Sequence, residues 1–303
     1  MNNQKRMVVV GGAGFIGSHI VDALLLRGDK VIVVDNLSAG KRERVDERAE
    51  FFQYDMRNYD DIAPIVSGAD GLFLLAALPR VQVSIDDPLT THQVNTTGVL
   101  NVLHAAYKGG VKRVVYSGSS SAYGEQPTLP HHEDMREKPV HPYGLQKYVA
   151  EEYARIFSDI YGLPTVTLRY FNVYGPRMDL NGSYAAVIGK FLKSKKEGKP
   201  LTIVGDGEQT RDFTHVRDVV RANLLAADSP NVGNGESINI GAGNNVSINR
   251  LADLIGGEKT YLPPRKEAYH SRASITKAKE LLGWSPEVNI VDGIAELEDE
   301  ILL

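Results

Sequence analysis

The sequence predicts an α/β protein: a doubly wound parallel sheet followed by a smaller α/β lobe. Three observations predict it. Short, continuously apolar runs alternate with segments of 3.6-residue periodicity from the start of the chain. The runs are uninterrupted rather than alternating, as expected of strands buried on both faces beneath helices. A glycine-rich turn joins the first run to the first helical segment.

The elements follow in order. Met7–Val10 is the first strand, and Phe15, Ile16, His19, Ile20, Ala23 and Leu24 share one helical face. Val31–Val34, Phe51–Tyr54, Leu72–Leu75 and Arg113–Tyr116 are further strands, each bounded by Gly, Asp or Ser. Val94, Leu100, Val102, Leu103 and Ala106 populate a second helical face. A long helix begins near Pro142, where proline's missing N–H costs nothing, and Thr165–Arg169 is the sixth strand. The texture changes after about Gly175. KFLKSKKEGK reads as the solvated face and end of a helix, Ser247 as an N-cap, and LGWSP as the close of a helix near Gly283, with Trp284 in packing. The expected division is 1–172, with roughly 205–228, for the sheet domain, and 173–204 with 229–303 for the smaller lobe. No linker separates the two, so the lobe is expected to grow from loops leaving one sheet.

Composition removes several classes. The 303 residues are 42% hydrophobic and 24% charged, which excludes disorder, a collagen-like chain and a coiled coil. Lys+Arg 34 against Asp+Glu 38 gives a net charge of -4, so no nucleic-acid partner is expected. With no cysteine there is no disulfide, thiolate metal site or cysteine nucleophile. Nothing around His141 or His215 has metal-ligand spacing, so both are expected to be structural and no metal is expected. Only four apolar residues precede the first glycines, and no run approaches the ~18 of a membrane span. The expectation is a soluble cytoplasmic protein with no membrane partner.

Val8-Val9-Val10 runs into GGAGFIGSHI. Gly12, Gly14 and Gly17 satisfy G-x-G-x-x-G, and Gly11, Gly14 and Gly17 the looser G-x-x-G-x-x-G. Between a strand and a helix, this pattern reads as a Rossmann-type dinucleotide turn: backbone approaches a pyrophosphate, and the helix N-terminus offers free N–H groups. Asp35 closes the second strand, where a carboxylate accepts from ribose hydroxyls and repels a 2′-phosphate, favouring NAD over NADP. Lys41 and Arg42 nearby would tolerate a phosphate.

Tyr143 and Lys147 stand at i, i+4 at the start of the long helix and so share a face. An ammonium beside a phenol favours the phenolate, and moving a phenol from ~10 toward ~7 takes about 4 kcal/mol. A serine cluster, Ser119-Ser120-Ser121, precedes the pair at a strand end.

With these motifs the chain resembles the extended short-chain dehydrogenase/reductases, specifically the nucleotide-sugar epimerase branch. GGAGFIGSH, VDNLSAGKRE, AALPRVQVSIDDP, VNTTGVLNVL, SGSSSAYG, YGLQK, RYFNVYGPR, GDGEQTRDFTHVRDVV and LGWSP occur in the family's order. The resemblance implies NAD on the first lobe, a nucleotide-diphosphate sugar on the second, and a homodimer through paired helices. It implies catalysis by Ser119, Tyr143 and Lys147. It places NAD against Gly11, Gly14, Phe15, Ile16, Gly17, Asp35, Asn36, Ser38, Gly40, Asp55, Met56, Leu75, Ala76, Ala77, Asn95, Ser117, Tyr143, Lys147, Tyr170 and Phe171. It places the sugar nucleotide against Ser119, Ser120, Ser121, Tyr143, Asn172, Ala186, Val187, Thr202, Ile203, Val204, Arg211, Arg265 and Ser271. Departures are Leu74, where the family often has His, and KEAYHSRAS after Arg265, where it has a Pro-Gly-Asp pattern.

The reaction follows from what is present and what is missing. Dehydratases of the superfamily carry Asp-Glu after the catalytic Ser/Thr and decarboxylases a Glu; here Ser120-Ser121 follow, with no acid. Oxidation and re-reduction at C4 needs only Ser119, Tyr143, Lys147 and NAD, so a UDP-hexose 4-epimerase is the minimal reading. SGSSSAYG with NGSYAAVIGKF resembles 4-epimerases of N-acetylated sugars, and a small Ser271 would open the pocket to an acetamido group. Arg272 at that place would instead attract a carboxylate, as in a UDP-glucuronate 4-epimerase. A reductase on another sugar nucleotide and a non-enzymatic NAD-binding regulator are the remaining alternatives.

Overall fold

The computed structural model describes residues 4–180, 187–264 and 269–302. Seven parallel strands form one sheet. Six run in chain order as β1 (Arg6–Val10), β2 (Lys30–Val34), β3 (Glu50–Phe52), β4 (Gly71–Leu74), β5 (Val114–Ser119) and β6 (Thr165–Tyr170). The seventh is Asn234–Ile240, and the order across the sheet is seventh, β6, β5, β4, β1, β2, β3. The chain reverses its winding between β1 and β4, and ligands of such sheets bind beyond the strand ends at that switch point.

Alternate side chains of each strand feed two cores. Val9, Val33, Phe73, Val115 and Leu168 face the helices Phe15–Arg27 and Val216–Asp228. Val8, Ile32, Leu72, Val114 and Tyr116 face Tyr59–Val66, Val99–Lys108 and Pro142–Tyr161. A third core, with Phe191, Leu192, Ile203, Leu251, Ile255 and Leu297, holds the smaller lobe together. There Leu201–Val204 pairs in parallel with Lys259–Leu262.

Three expectations are corrected. The first helix buries Gly17, Ile20, Val21 and Leu24, while Phe15, Ile16, His19 and Ala23 are only partly covered. Gly17 explains the rotation: a Cβ there would stand 2.1 Å from the Gly11 carbonyl oxygen, so the bare glycine edge is what meets the turn. β5 runs three residues past the expected Tyr116, through Ser117-Gly118-Ser119. Asn234–Ile240, counted above with the smaller lobe, lies in the large sheet against β6. Ser247 does cap its helix, accepting from Arg250 N, and Gly283 ends Thr276–Leu282 in a left-handed conformation. Trp284 is fully buried, its indole N–H donating to the Asp218 carbonyl at 2.9 Å. Among the described residues no helix is long and apolar enough to cross a membrane.

Candidate active site

The first helix begins at Gly14 with no side-chain cap, so its first-turn N–H groups are left to an anion. Gly11 has φ +90, and a Cβ on it would meet Ala76 N at 2.5 Å. That contact sets the glycine turn directly against Leu75–Ala77 after β4, where Leu75 N and Ala76 N both donate to Val10 O. Only a backbone without side chains at Gly11 and Gly17 lets turn, helix and loop converge so closely.

Asp35 stands at the end of β2, its two carboxylate oxygens accepting from Ala13 N at 3.0 Å and Leu37 N at 2.8 Å. Burial raises its pKa, and those two N–H groups oppose the rise. Gly40 leaves room beside the carboxylate: a Cβ would come within 2.9 Å of both oxygens. Asn36 joins this loop to the next by donating to Asp55 at 2.9 Å, and its Oδ1 accepts from Ser38 N. Arg57 holds Asp55 well below the usual carboxylate range. Met56 is buried behind it. Of the two nearby cations, Arg42 lies over the Phe51 ring and Lys41 faces Glu43. These groups form one rim over β1, β2 and β4, with the polar shape a nucleoside diphosphate requires.

Across the switch point, Ser119 ends β5 and Tyr143 begins the helix Pro142–Tyr161. The Ser119 hydroxyl accepts from Ser121 N at 3.2 Å, and it acts to lower the pKa of the buried Tyr143 phenol. Ser120 and Ser121 follow in a short helical turn, partly exposed. His141 caps the helix by accepting from Gly144 N, and His215 caps Val216–Asp228 through Arg217 N, which are structural tasks. No metal-holding cluster occurs among the described residues.

Lys147 is only 3% exposed, and its Nζ lies 4.5 Å from the centre of the Tyr116 ring. Burial pushes it down to about 7, with Glu151 acting the other way. Burial likewise raises Tyr143, and the Ser119 hydroxyl and Arg80 oppose this. Spacing of i, i+4 fixes the helical face but not the direction of a flexible four-carbon stem.

Several expected contact residues are committed to protein partners. Asn95 is fully buried, its amide bonded to Leu78 N and O and to Gln146, so it braces the β4 loop against the long helix. Ser117 and Tyr170 bond each other at 3.1 Å, and Tyr170 donates onward to Asn223. Phe171 packs against Tyr123 and His131. Ile203 belongs wholly to the small core and offers a ligand no side chain, whereas Thr202 is exposed and Val187 and Val204 are partly so.

On the side of the smaller lobe, Asn172 is exposed in a left-handed conformation at φ 31 and donates to Asp212 O at 3.0 Å. Arg211 donates to the carbonyls of Thr210 and Tyr269, while Asp218 pairs with Arg221. Ser271 is partly exposed, with its backbone N–H on Thr210 O. Ala186 and Arg265 lie outside the described residues.

Two residues close to the Ser119–Tyr143 pair escaped the motif reading. Ser84, fully buried, accepts from Tyr143 N at 3.0 Å and so fixes where the long helix starts. Arg80, one turn earlier, bonds Asp179 at 2.8 Å and carries the positive charge that acts on Tyr143. Both lie in AALPRVQVSIDDP, where the only local signal is a single cation four residues before Ser84, ahead of the Asp86-Asp87 pair.

The NAD-dependent epimerase/dehydratase family matches residues 7–241. A putative UDP-glucose 4-epimerase of Methanocaldococcus jannaschii is 40% identical over 297 residues, covering 95% of each chain. The crystal structure of the Thermotoga maritima UDP-glucose 4-epimerase with UDP-glucose superposes with TM-score 0.93 at 40% identity, over 97% of both chains. That of the UDP-N-acetylglucosamine 4-epimerase from Methanobrevibacter ruminantium M1 in complex with UDP-N-acetylmuramic acid gives 0.91 at 37% identity, over 98% of this chain and 99% of the other. A family model that matches residues 7–241, and likeness at 37–40% identity over nearly the whole length of such proteins, place this chain in the NAD-dependent epimerase/dehydratase family.

Proposed function

We propose that this protein is an NAD-dependent 4-epimerase of a UDP-hexose that accepts N-acetylated sugars. The observation that carries the reading is Ser119 at the end of β5 acting on the Tyr143 phenol, across the switch point from the glycine turn and followed by Ser120-Ser121 in place of an acid. Gly11, Gly14 and Gly17 would hold the diphosphate of NAD, Asp35 its adenosine ribose, and Leu75–Ala77 the stretch toward the reacting end. When bound, NAD supplies the electron acceptor and donor for C4 of the sugar.

The chain's own residues handle the proton and the orientation. Tyr143 takes the proton of the C4 hydroxyl, and Ser119 holds the same oxygen, so the alcohol is gripped by two groups. Because burial raises the phenol, the Ser119 hydroxyl and the charge of Arg80 are what favour its ionised form. Asn172 and Arg211 face the diphosphate of the sugar nucleotide, and charge-assisted bonds there anchor it while the oxidised sugar turns over. Tyr143 then returns the proton to the same oxygen. A dehydration would need an acid to expel water, and none follows Ser119.

Incubation with paired UDP-sugars, with products identified by NMR, tests this. The expected products are 4-epimers from UDP-N-acetylgalactosamine and UDP-galactose, with kcat/KM for the N-acetylated sugar within tenfold of the plain one or better. A tenfold or larger preference for UDP-galactose removes the Ser271 pocket argument. A product from UDP-glucuronate alone transfers the reading to Arg272 and a uronate epimerase. No 4-epimer from any of them overturns the proposal.

A further inference from the structure

Asp212 is 0% exposed and takes no part in the proton transfers above. Its carboxylate gathers backbone from separate parts of the chain. Oδ1 accepts from Ala242 N at 2.6 Å, and Oδ2 accepts from Gly243 N at 3.2 Å and Ala273 N at 2.8 Å. Its own N–H approaches the Ser271 hydroxyl at 3.4 Å, and its carbonyl accepts from Asn172. The pocket is built to the size of this group: a Cβ on Gly241 would stand 2.9 Å from Oδ2 and 2.5 Å from the Ala273 Cβ. Three residues read as facing the sugar nucleotide, Asn172, Arg211 and Ser271, are thus bonded to Asp212 or are its chain neighbour.

We propose that Asp212 is a positioning residue for the sugar nucleotide: its ionised carboxylate fastens the segment 271–273 and the turn at 242–243 to the Arg211 strand, so that Asn172, Arg211 and Ser271 are presented together. The proposal rests on the substrate reading above. Protonation would remove the charge that holds three N–H groups and weaken the clasp. Burial raises the carboxyl to about 6, against which the three N–H groups and Arg272 act. The charged and titratable groups around it are Arg211 on its own strand, Arg272 on the 271–274 segment, His270 bonded to Thr210, and His131, whose N–H holds Arg272 O. Burial pushes His131 down to about 4, below the range of interest.

The test is calorimetric titration of the purified NAD-loaded protein with UDP-glucose from pH 8 to 5. The probe's diphosphate is doubly esterified and carries no proton that titrates in this range. The expected wild-type result is a flat Kd above pH 7 and weakening by roughly tenfold at pH 5, one unit below the midpoint. Asp212→Asn should bind roughly tenfold more weakly at pH 7.5 with no further acid limb, and should keep its NAD content. Gly241→Ala should reproduce the weaker binding with the carboxylate intact. In turnover, both variants should raise KM more than they lower kcat. Gly241→Ala carries the test if Asp212→Asn does not fold. A wild-type Kd in Asp212→Asn, or in Gly241→Ala where Asp212→Asn does not fold, overturns the role of Asp212 and leaves the substrate reading intact. Failure of the wild type to bind UDP-glucose, UDP-N-acetylglucosamine and UDP-glucuronate at any pH overturns the substrate reading and the inference with it.

Discussion

The two halves of the sheet are built on different principles. On one side of the switch point, β1, β2 and β4 read RMVVV, KVIVV and GLFL, and nearly every side chain is buried and apolar. On the other side, β5, β6 and Asn234–Ile240 read VVYSGS, TVTLRY and NGESINI. Here polar groups go inside. Arg169, 2% exposed, pairs with Glu151, also 2% exposed, through Nε at 3.0 Å, and with Glu137. Ser237 donates to Glu151 at 2.6 Å, and Asn239 accepts from the Tyr123 hydroxyl while donating to His131 O. The first half is a scaffold whose exposed function is backbone, namely the glycine turn. The second is a bonded lattice, and it carries the side chains expected to do chemistry. Apolar packing tolerates small shifts, but a buried polar network is satisfied in only one arrangement, and so holds Tyr143, Lys147 and Ser119 in fixed relation.

Breaking that lattice should produce the largest effect. Arg169→Met leaves Glu151 buried without its cation, and removing one member of such a pair costs about 3–5 kcal/mol. Chemical denaturation should show this loss, well above the ~0.5–1.5 kcal/mol typical of removing one methylene, as in Ile32→Val in the apolar half. Equal losses would show that the two halves do not differ in the way described.

A cut in function without a cut in structure comes next. Tyr143→Phe removes one hydroxyl that the fold itself does not use. It should lower kcat by at least ~100-fold, the usual contribution of a general base, with NAD content and thermal midpoint close to wild type. Turnover near wild type would mean that the proton leaves by another group.

The finest cut is electrostatic. Arg80→Met removes a positive charge that lowers Tyr143, so the phenol's pKa should rise. A base must be ionised to act, so the acid limb of the kcat/KM profile should move to higher pH, and Arg80→Lys should restore most of it. The same limb in wild type and Arg80→Met would return the task of stabilising the phenolate to Lys147.

The apolar half was legible residue by residue. Strands such as Val31–Val34 have few alternatives, and a glycine turn between strand and helix has one common purpose, so the dinucleotide turn was legible in the sequence. The polar half was read short. Ser117-Gly118-Ser119 and NGESINI look like loop in sequence, because serine, glycine and asparagine enter a strand interior only when partners from elsewhere satisfy them. Those partners are Tyr170, Tyr123, Glu133 and Glu151, all distant in the chain.

The sequence by itself determined the fold class, the dinucleotide turn, Asp35 at a strand end and the shared helical face of Tyr143 and Lys147, because each depends on local spacing or on periodic burial; Ser119 was singled out by the family resemblance. Only the tertiary structure decided where charges act. It set Lys147 over Tyr116, brought Arg80 to bear on Tyr143, closed Asn95 onto Leu78 and Gln146, and made Asp212 the clasp of four segments. The direction of a long side chain and the pKa of a buried group follow from neighbours that only folding brings within bonding distance.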